Sequence, residues 1–141
     1  MNVRSSAYRV LATSEENRSA ALKLACGARM SVALFTRDMD PVIYDTREFV
    51  TAVQQLALRS SYSRIRIVAI DPTAAIKDGH RLIELGRRLS SFIEFRRPSQ
   101  EHAKRSESFL IVDETGLLYR PLAIRYEGFA DSDNAFEARA H

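Results

Sequence analysis

The sequence predicts an α/β sandwich, three-layer-like, around a mixed sheet whose N-terminal part is parallel and whose C-terminal end is an antiparallel hairpin. Three observations lead there. Apolar residues recur alternately at helical and strand period through the first two thirds of the chain, the order that joins parallel strands by helices. Met30 to Thr36 is a short, uninterrupted, β-prone run, the form of a central strand covered on both faces. From Ser108 the helical pattern stops and hairpin chemistry replaces it. At 141 residues the chain holds one domain, 1–141, with residues 1–12 and 135–141 expected to be loose.

The elements follow in order. Thr13-Ser14-Glu15-Glu16 has capping-box spacing, and Ala21, Leu24, Ala25 and Ala28 continue at helical period, so a helix runs from Ser14 to Cys26 with Gly27 as its stop. After the Met30 to Thr36 strand, Asp45-Thr46-Arg47-Glu48 caps a second helix, with Phe49, Val53, Leu56 and Ala57 on one face and Gln54, Gln55 and Arg59 on the other. Arg64 to Ile70 alternates first and ends as an apolar run, a strand with its first half nearer an edge. Asp71-Pro72 starts a third helix whose stripe of Ala75, Ile76, Gly79, Leu82, Ile83, Gly86 and Leu89 is continuous, and its two glycines imply close approach to the sheet. Phe92 to Arg96 is the next strand, and Arg97 to Arg105 is an aperiodic polar loop. Phe109 to Val112 and Leu117 to Arg120 form a hairpin about Asp113-Glu114-Thr115-Gly116, Pro121 to Glu127 continue as an edge strand, and Asp131 to Asn134 turn or cap. No internal repeat is present.

Composition narrows the function classes. With 45% hydrophobic residues, 28% charged residues and few Gly or Pro, the chain is neither collagen-like nor disordered. Its net charge of +3 is a modest surplus. One cysteine, Cys26, excludes an internal disulfide and reads as core, no leader pattern occupies Met1 to Thr13, and no run reaches bilayer length; together these predict a cytoplasmic protein.

The element order from Met30 onward, with a strand ending in Asp113-x-x-Gly116 and a later Gly-containing turn, resembles one half of the phospholipase D-like fold. That superfamily's signature is HxKxxxxD followed by GSxN; the His is the covalent nucleophile and the Lys holds phosphate oxygens. Placing the signature's Asp on Asp113 puts Ser106 at the His position and Ser108 at the Lys position, and Gly128-Phe129-Ala130-Asp131 keeps only the Gly of GSxN, with Asp in place of Asn. The resemblance therefore implies a domain that has lost its chemistry and serves binding or assembly. Relatives join two such units around a common cleft, so it also implies a homodimer.

Rival motifs are weaker. His102-Ala103-Lys104 supplies H-x-K, but that register puts Phe109 at the Asp position; it carries the alternative of a phosphodiesterase or nuclease-like hydrolase. A third alternative is a purely structural dimerisation domain. Asp38 and Asp40 share the D-x-D spacing of haloacid-dehalogenase-type phosphatases, yet Pro41 follows and no second acidic pair completes a metal site, so an Asp-rich turn is expected. Asp71 reads as a helix cap, and His80 as a partly buried helix residue. No metal or cofactor is expected.

The basic residues are Arg throughout except for three Lys. Arg81, Arg87, Arg88, Arg96, Arg97, Lys104 and Arg105 could converge on a phosphate-containing ligand, with Arg96 and Arg97 as the binding candidates. Interleaved Glu84, Glu94, Glu101 and Glu107 favour a solvated mixed-charge surface instead, on which nucleic acid binds without specificity.

Overall fold

The computed structural model describes residues 8–134. Its strands are β1 (Tyr8–Leu11), β2 (Ser31–Thr36), β3 (Arg64–Ala69), β4 (Ile93–Arg96), β5 (Ser108–Val112), β6 (Gly116–Arg120) and β7 (Gly128–Asp131). Its helices are α1 (Ser14–Cys26), α2 (Pro41–Tyr44), α3 (Arg47–Arg59), α4 (Thr73–Asp78) and α5 (Arg81–Arg88), with a 3₁₀ turn at His102–Lys104. One sheet contains every strand, in the order β1-β7-β6-β5-β2-β3-β4. The β2, β3 and β4 pairings are parallel, and β5, β6, β7 and β1 add antiparallel ladders on the other side of β2. This is the mixed sheet that the alternating pattern predicts.

Local chemistry explains the helix ends. The Thr13 hydroxyl accepts from the Glu16 N–H, while the Glu16 carboxylate accepts from the N–H groups of Ala12 and Thr13, completing the capping box of α1. Those backbone bonds, first of all that from Ala12, hold the Glu16 carboxyl below its usual range. Thr46 caps α3 in the same way, accepting from the Phe49 N–H. Cys26 at the end of α1 is exposed rather than part of the core.

The stripe expected to form one helix after Asp71-Pro72 is two helices. Gly79 has φ +85°, outside the helical region and favoured by glycine, and His80 is extended at φ −148° and caps α5. Nothing lies within 4 Å of a Cβ built on Gly79, so its glycine serves the turn and not packing. Gly86 is the close approach: a Cβ there would sit 2.1 Å from Cε2 of Phe95 on β4. Ile76, on α4 before the break, is exposed rather than part of a continuous buried stripe. Two further expectations change. Residues 8–11 are not loose but form edge strand β1, ladder-paired from Tyr8↔Asp131 to Leu11↔Gly128. Pro121 to Glu127 are turns and bends, and the last strand comes afterwards at Gly128. The expected loose C-terminal segment, 135–141, lies outside the described residues.

The sheet's two faces are unequal. Every helix contributes its buried apolar side chains to one cluster, where Val32, Leu34, Ile65, Ile67, Leu110 and Leu118 meet Tyr44, Phe49 and Leu85. The opposite face carries a smaller cluster of Phe35, Phe109 and Leu117. Among the described residues, the third layer on that side is the 97–107 connection rather than a helix: Arg105 lies over the Phe35 and Phe109 rings, 5.0 and 5.5 Å from their centroids. Among the described residues no helix is long and apolar enough to cross a membrane.

Candidate functional site

The residues at the signature positions occupy two ends of the sheet. Ser108 opens β5 opposite Arg120, is buried, and donates from its hydroxyl to the Phe35 carbonyl at 3.2 Å. Ser106 donates to the Pro121 carbonyl at 3.3 Å. Gly128 lies at this same end, where the backbones run so close that a Cβ would fall 2.0 Å from the Tyr119 carbonyl oxygen. Asp113 follows the far end of β5, about 17 Å from Ser108 at the usual strand rise. Its carboxylate accepts from the N–H groups of Arg29, Met30 and Ser31 at 2.8, 2.7 and 2.9 Å, tying the hairpin to the start of β2. Asp131 is also at the far end, opposite Leu117, and accepts from the Asp133 N–H at 3.0 Å.

What surrounds Ser108 is a closed polar cluster. Arg120, 2% exposed, forms an ion pair with Asp40 at 3.0 Å, donates to the Arg125 carbonyl and lies over the Tyr126 ring. Burial raises the Asp40 carboxyl above its ordinary range, and the Arg120 charge offsets only part of that. Burial likewise raises the phenols of Tyr44 and Tyr126, with the Asp40 charge adding to both. Asp38 accepts from the Asp40 N–H at 3.0 Å, an Asx turn, so the D-x-D pair builds a loop and an ion pair. Met39 between them is fully buried at φ 71°. His80 holds this loop. Its Nε2 donates to the Met39 carbonyl at 3.0 Å while Nδ1 accepts from the Leu82 N–H at 3.2 Å, an arrangement that requires the neutral imidazole. Asp71 accepts from the Thr73 N–H at the entrance to α4, and hydrogen bonding from Thr73, its side chain first and its backbone N–H second, lowers the Asp71 carboxyl. Among the described residues no three His, Cys, Asp or Glu side chains gather in a group that would hold a metal.

A second site lies on the face away from the helices. A groove of about 760 Å³ runs over β2, β3 and β5, edged by Arg64, Arg66, Arg96, Arg97, Arg105 and His102. Ala33, Val68 and Ile111 form its half-buried floor. The ladder explains the grouping. Arg66 pairs with Ala33 and Glu94, and Arg96 pairs with Val68, so all of them face the same way. Arg96 bonds Glu94 and Arg105 bonds Glu107. Arg64, Arg66 and Arg97 form no ion pair among the described residues. Lys104 is exposed beside His102 in the 3₁₀ turn.

The arginines of α5 do not join this groove: Arg81 pairs with Asp45 at 3.2 Å and Arg87 with Glu84 at 2.8 Å. Arg64 and Arg66 are the residues that sequence reasoning missed. Their signal was present in the Arg-Ile-Arg-Ile alternation, which places both on the face opposite Ile65 and Ile67.

The whole described fold resembles that of TrmBL2, an archaeal chromatin protein described as showing a novel mode of DNA binding, with a TM-score of 0.67 at 12% identity. That match covers 99% of this chain and 50% of the TrmBL2 chain, so the present sequence spans half of that protein's length. NucT from Helicobacter pylori aligns with a TM-score of 0.58 at 13% identity, covering 94% of this chain and 89% of that one. At these identities the likeness concerns the fold alone. No curated protein matches the sequence. Residues 13–141 match the family described as Domain of unknown function (DUF7931), and the chain belongs to that family.

Proposed function

We propose that the protein is a non-catalytic phospholipase D-like domain with a binding or assembly role, acting as a homodimer in the cytoplasm. One observation carries the reading. At the end of the sheet where the signature asks for a nucleophilic imidazole and a phosphate-holding ammonium, Ser106 and Ser108 donate their hydroxyls to backbone carbonyls. The neighbouring cation, Arg120, is buried on Asp40. A serine hydroxyl is a weak nucleophile unless a base takes its proton, and no titratable side chain accepts a hydrogen bond from either serine among the described residues. The DNA-binding relative and the NucT fold fit a domain that retains a phosphate-oriented scaffold.

The hydrolase alternative places His102 and Lys104 in the chemistry. His102 lines the arginine groove, but it makes no side-chain hydrogen bond that would orient it as base or nucleophile among the described residues. Purified protein is expected to leave bis-p-nitrophenyl phosphate intact with and without Mg²⁺. Turnover that vanishes in His102→Ala would overturn the non-catalytic reading in favour of this alternative.

A further inference from the structure

We infer that the arginine groove over β2, β3 and β5 is a binding site for single-stranded nucleic acid. The inference deepens the non-catalytic binding reading and rests on it.

The charge is concentrated. Of the arginines on the rim, Arg96 and Arg105 are matched by Glu94 and Glu107, while Arg64, Arg66 and Arg97 form no ion pair among the described residues; Arg64 donates to the Ser61 and Ser63 carbonyls, the Asp71 charge acts on Arg97, and Glu114 is the single further acid that lines the groove. Arg64 and Arg96 stand four ladder steps apart, about 13 Å at the usual strand rise, a span that suits successive phosphates of one strand better than a single phosphate. A second copy of this chain is a poor occupant, because a two-fold pairing of grooves would bring both sets of arginines together. The occupant is therefore an anion of extended form.

The floor separates nucleic acid from other polyanions. Ala33, Val68 and Ile111 offer an apolar surface between the cations, and the partly exposed guanidinium of Arg105 lies over the stacked rings of Phe35 and Phe109, adding a planar group beside that surface. Unpaired bases cover such a floor and stack on such a plane while their phosphates meet the rim. A duplex keeps its bases inside and would leave the floor wet. An acidic peptide has carboxylates for the arginines but no planar group for the stack.

The test is an anisotropy titration of the full chain with a labelled oligothymidine of about 12 nucleotides, a length within the range that single-strand grooves accommodate. Saturable binding is expected at or below about 10⁻⁶ M, the tight end of ordinary non-specific association. Engaging the three arginines that form no ion pair gives an expected log–log salt slope of about −2. In Arg66→Ala, Arg97→Ala, both exposed positions, affinity should fall about tenfold and the slope should approach −0.7, about one phosphate contact. Arg87→Ala, Arg88→Ala removes as much charge from α5 and should change affinity less than about twofold. Equal losses in the two double variants, no saturable binding, or displacement by oligoglutamate as effective as by unlabelled oligothymidine would each overturn the groove. Strand integrity is read on a gel from the same samples. Cleaved oligothymidine overturns the non-catalytic reading while leaving the groove standing, and intact but unbound strand overturns the groove alone.

Discussion

Asp40 and Arg120 show how far a side chain's role depends on neighbours distant in the chain. Asp40 suggested a D-x-D metal site in sequence, whereas its carboxylate lies 3.0 Å from the guanidinium of Arg120, eighty positions later. Removing one member leaves the other charge buried and unmatched, so Asp40→Ala should cost about 3–5 kcal/mol by thermal or denaturant unfolding. The pH dependence has a definite sign. The folded Asp40 carboxyl is raised above its ordinary value of 3.8, so the folded state binds this proton more tightly than the unfolded state. Its contribution is therefore most favourable below that ordinary value and declines as pH rises through the raised one. Relative to Asp40→Asn, the native protein should lose stability as pH rises out of the acid range and run parallel to the variant once Asp40 is ionised. A native protein that gains on the variant over that range would show that the attraction of Arg120 exceeds the cost of burial. Asp113 is the contrasting case. Sequence resemblance selected it for a signature position, and the structure gives it a task that pattern alone does not reveal, holding three N–H groups from more than eighty residues away.

Elements were legible where their causes are local. The capping box at Thr13, the Thr46 cap and the apolar β2 run lie within a few residues of the structure they specify, and these elements stand where the periodicity predicts them. The two strands misjudged, β1 and β7, are short and pair with each other across more than a hundred residues, so nothing in the Tyr8-Arg9-Val10-Leu11 segment itself announces a partner. The candidate site divides likewise. Ser106 and Ser108 were read from one continuous motif, but the Arg64, Arg66, Arg96 and Arg97 grouping depends on parallel β3–β4 register. The helix after Asp71 supplies a test by sign. Were Gly79 inside one helix, Gly79→Ala would stabilise by about 1 kcal/mol. At φ +85° between α4 and α5, the same change should destabilise by about 1 kcal/mol or more, because an added Cβ makes that backbone region unfavourable. The direction of the shift in denaturant midpoint decides between the two.

For the whole molecule, the question is what the unequal faces of the sheet do. The helices bury one face, while part of the other presents a cationic groove, so the two proposed roles, assembly and anion binding, compete for surface only if they share that groove. Like-charge repulsion argues that they do not. Two grooves placed together would oppose Arg64, Arg66 and Arg97 with their own copies, and such juxtaposition costs several kcal/mol in an interface. The homodimer interface is thus expected elsewhere on the surface, with the same patch contributed by both chains. Sedimentation at micromolar concentration should report a dimer, and saturating oligothymidine should raise its mass without separating the protomers. Free and bound protein would then show the same dimer dissociation constant, since linkage requires a ligand that favours neither state to shift neither. A monomer throughout that range would remove the proposed assembly role. A dimer that dissociates as the strand binds would place both functions on one face, with each oligothymidine bound excluding a partner chain.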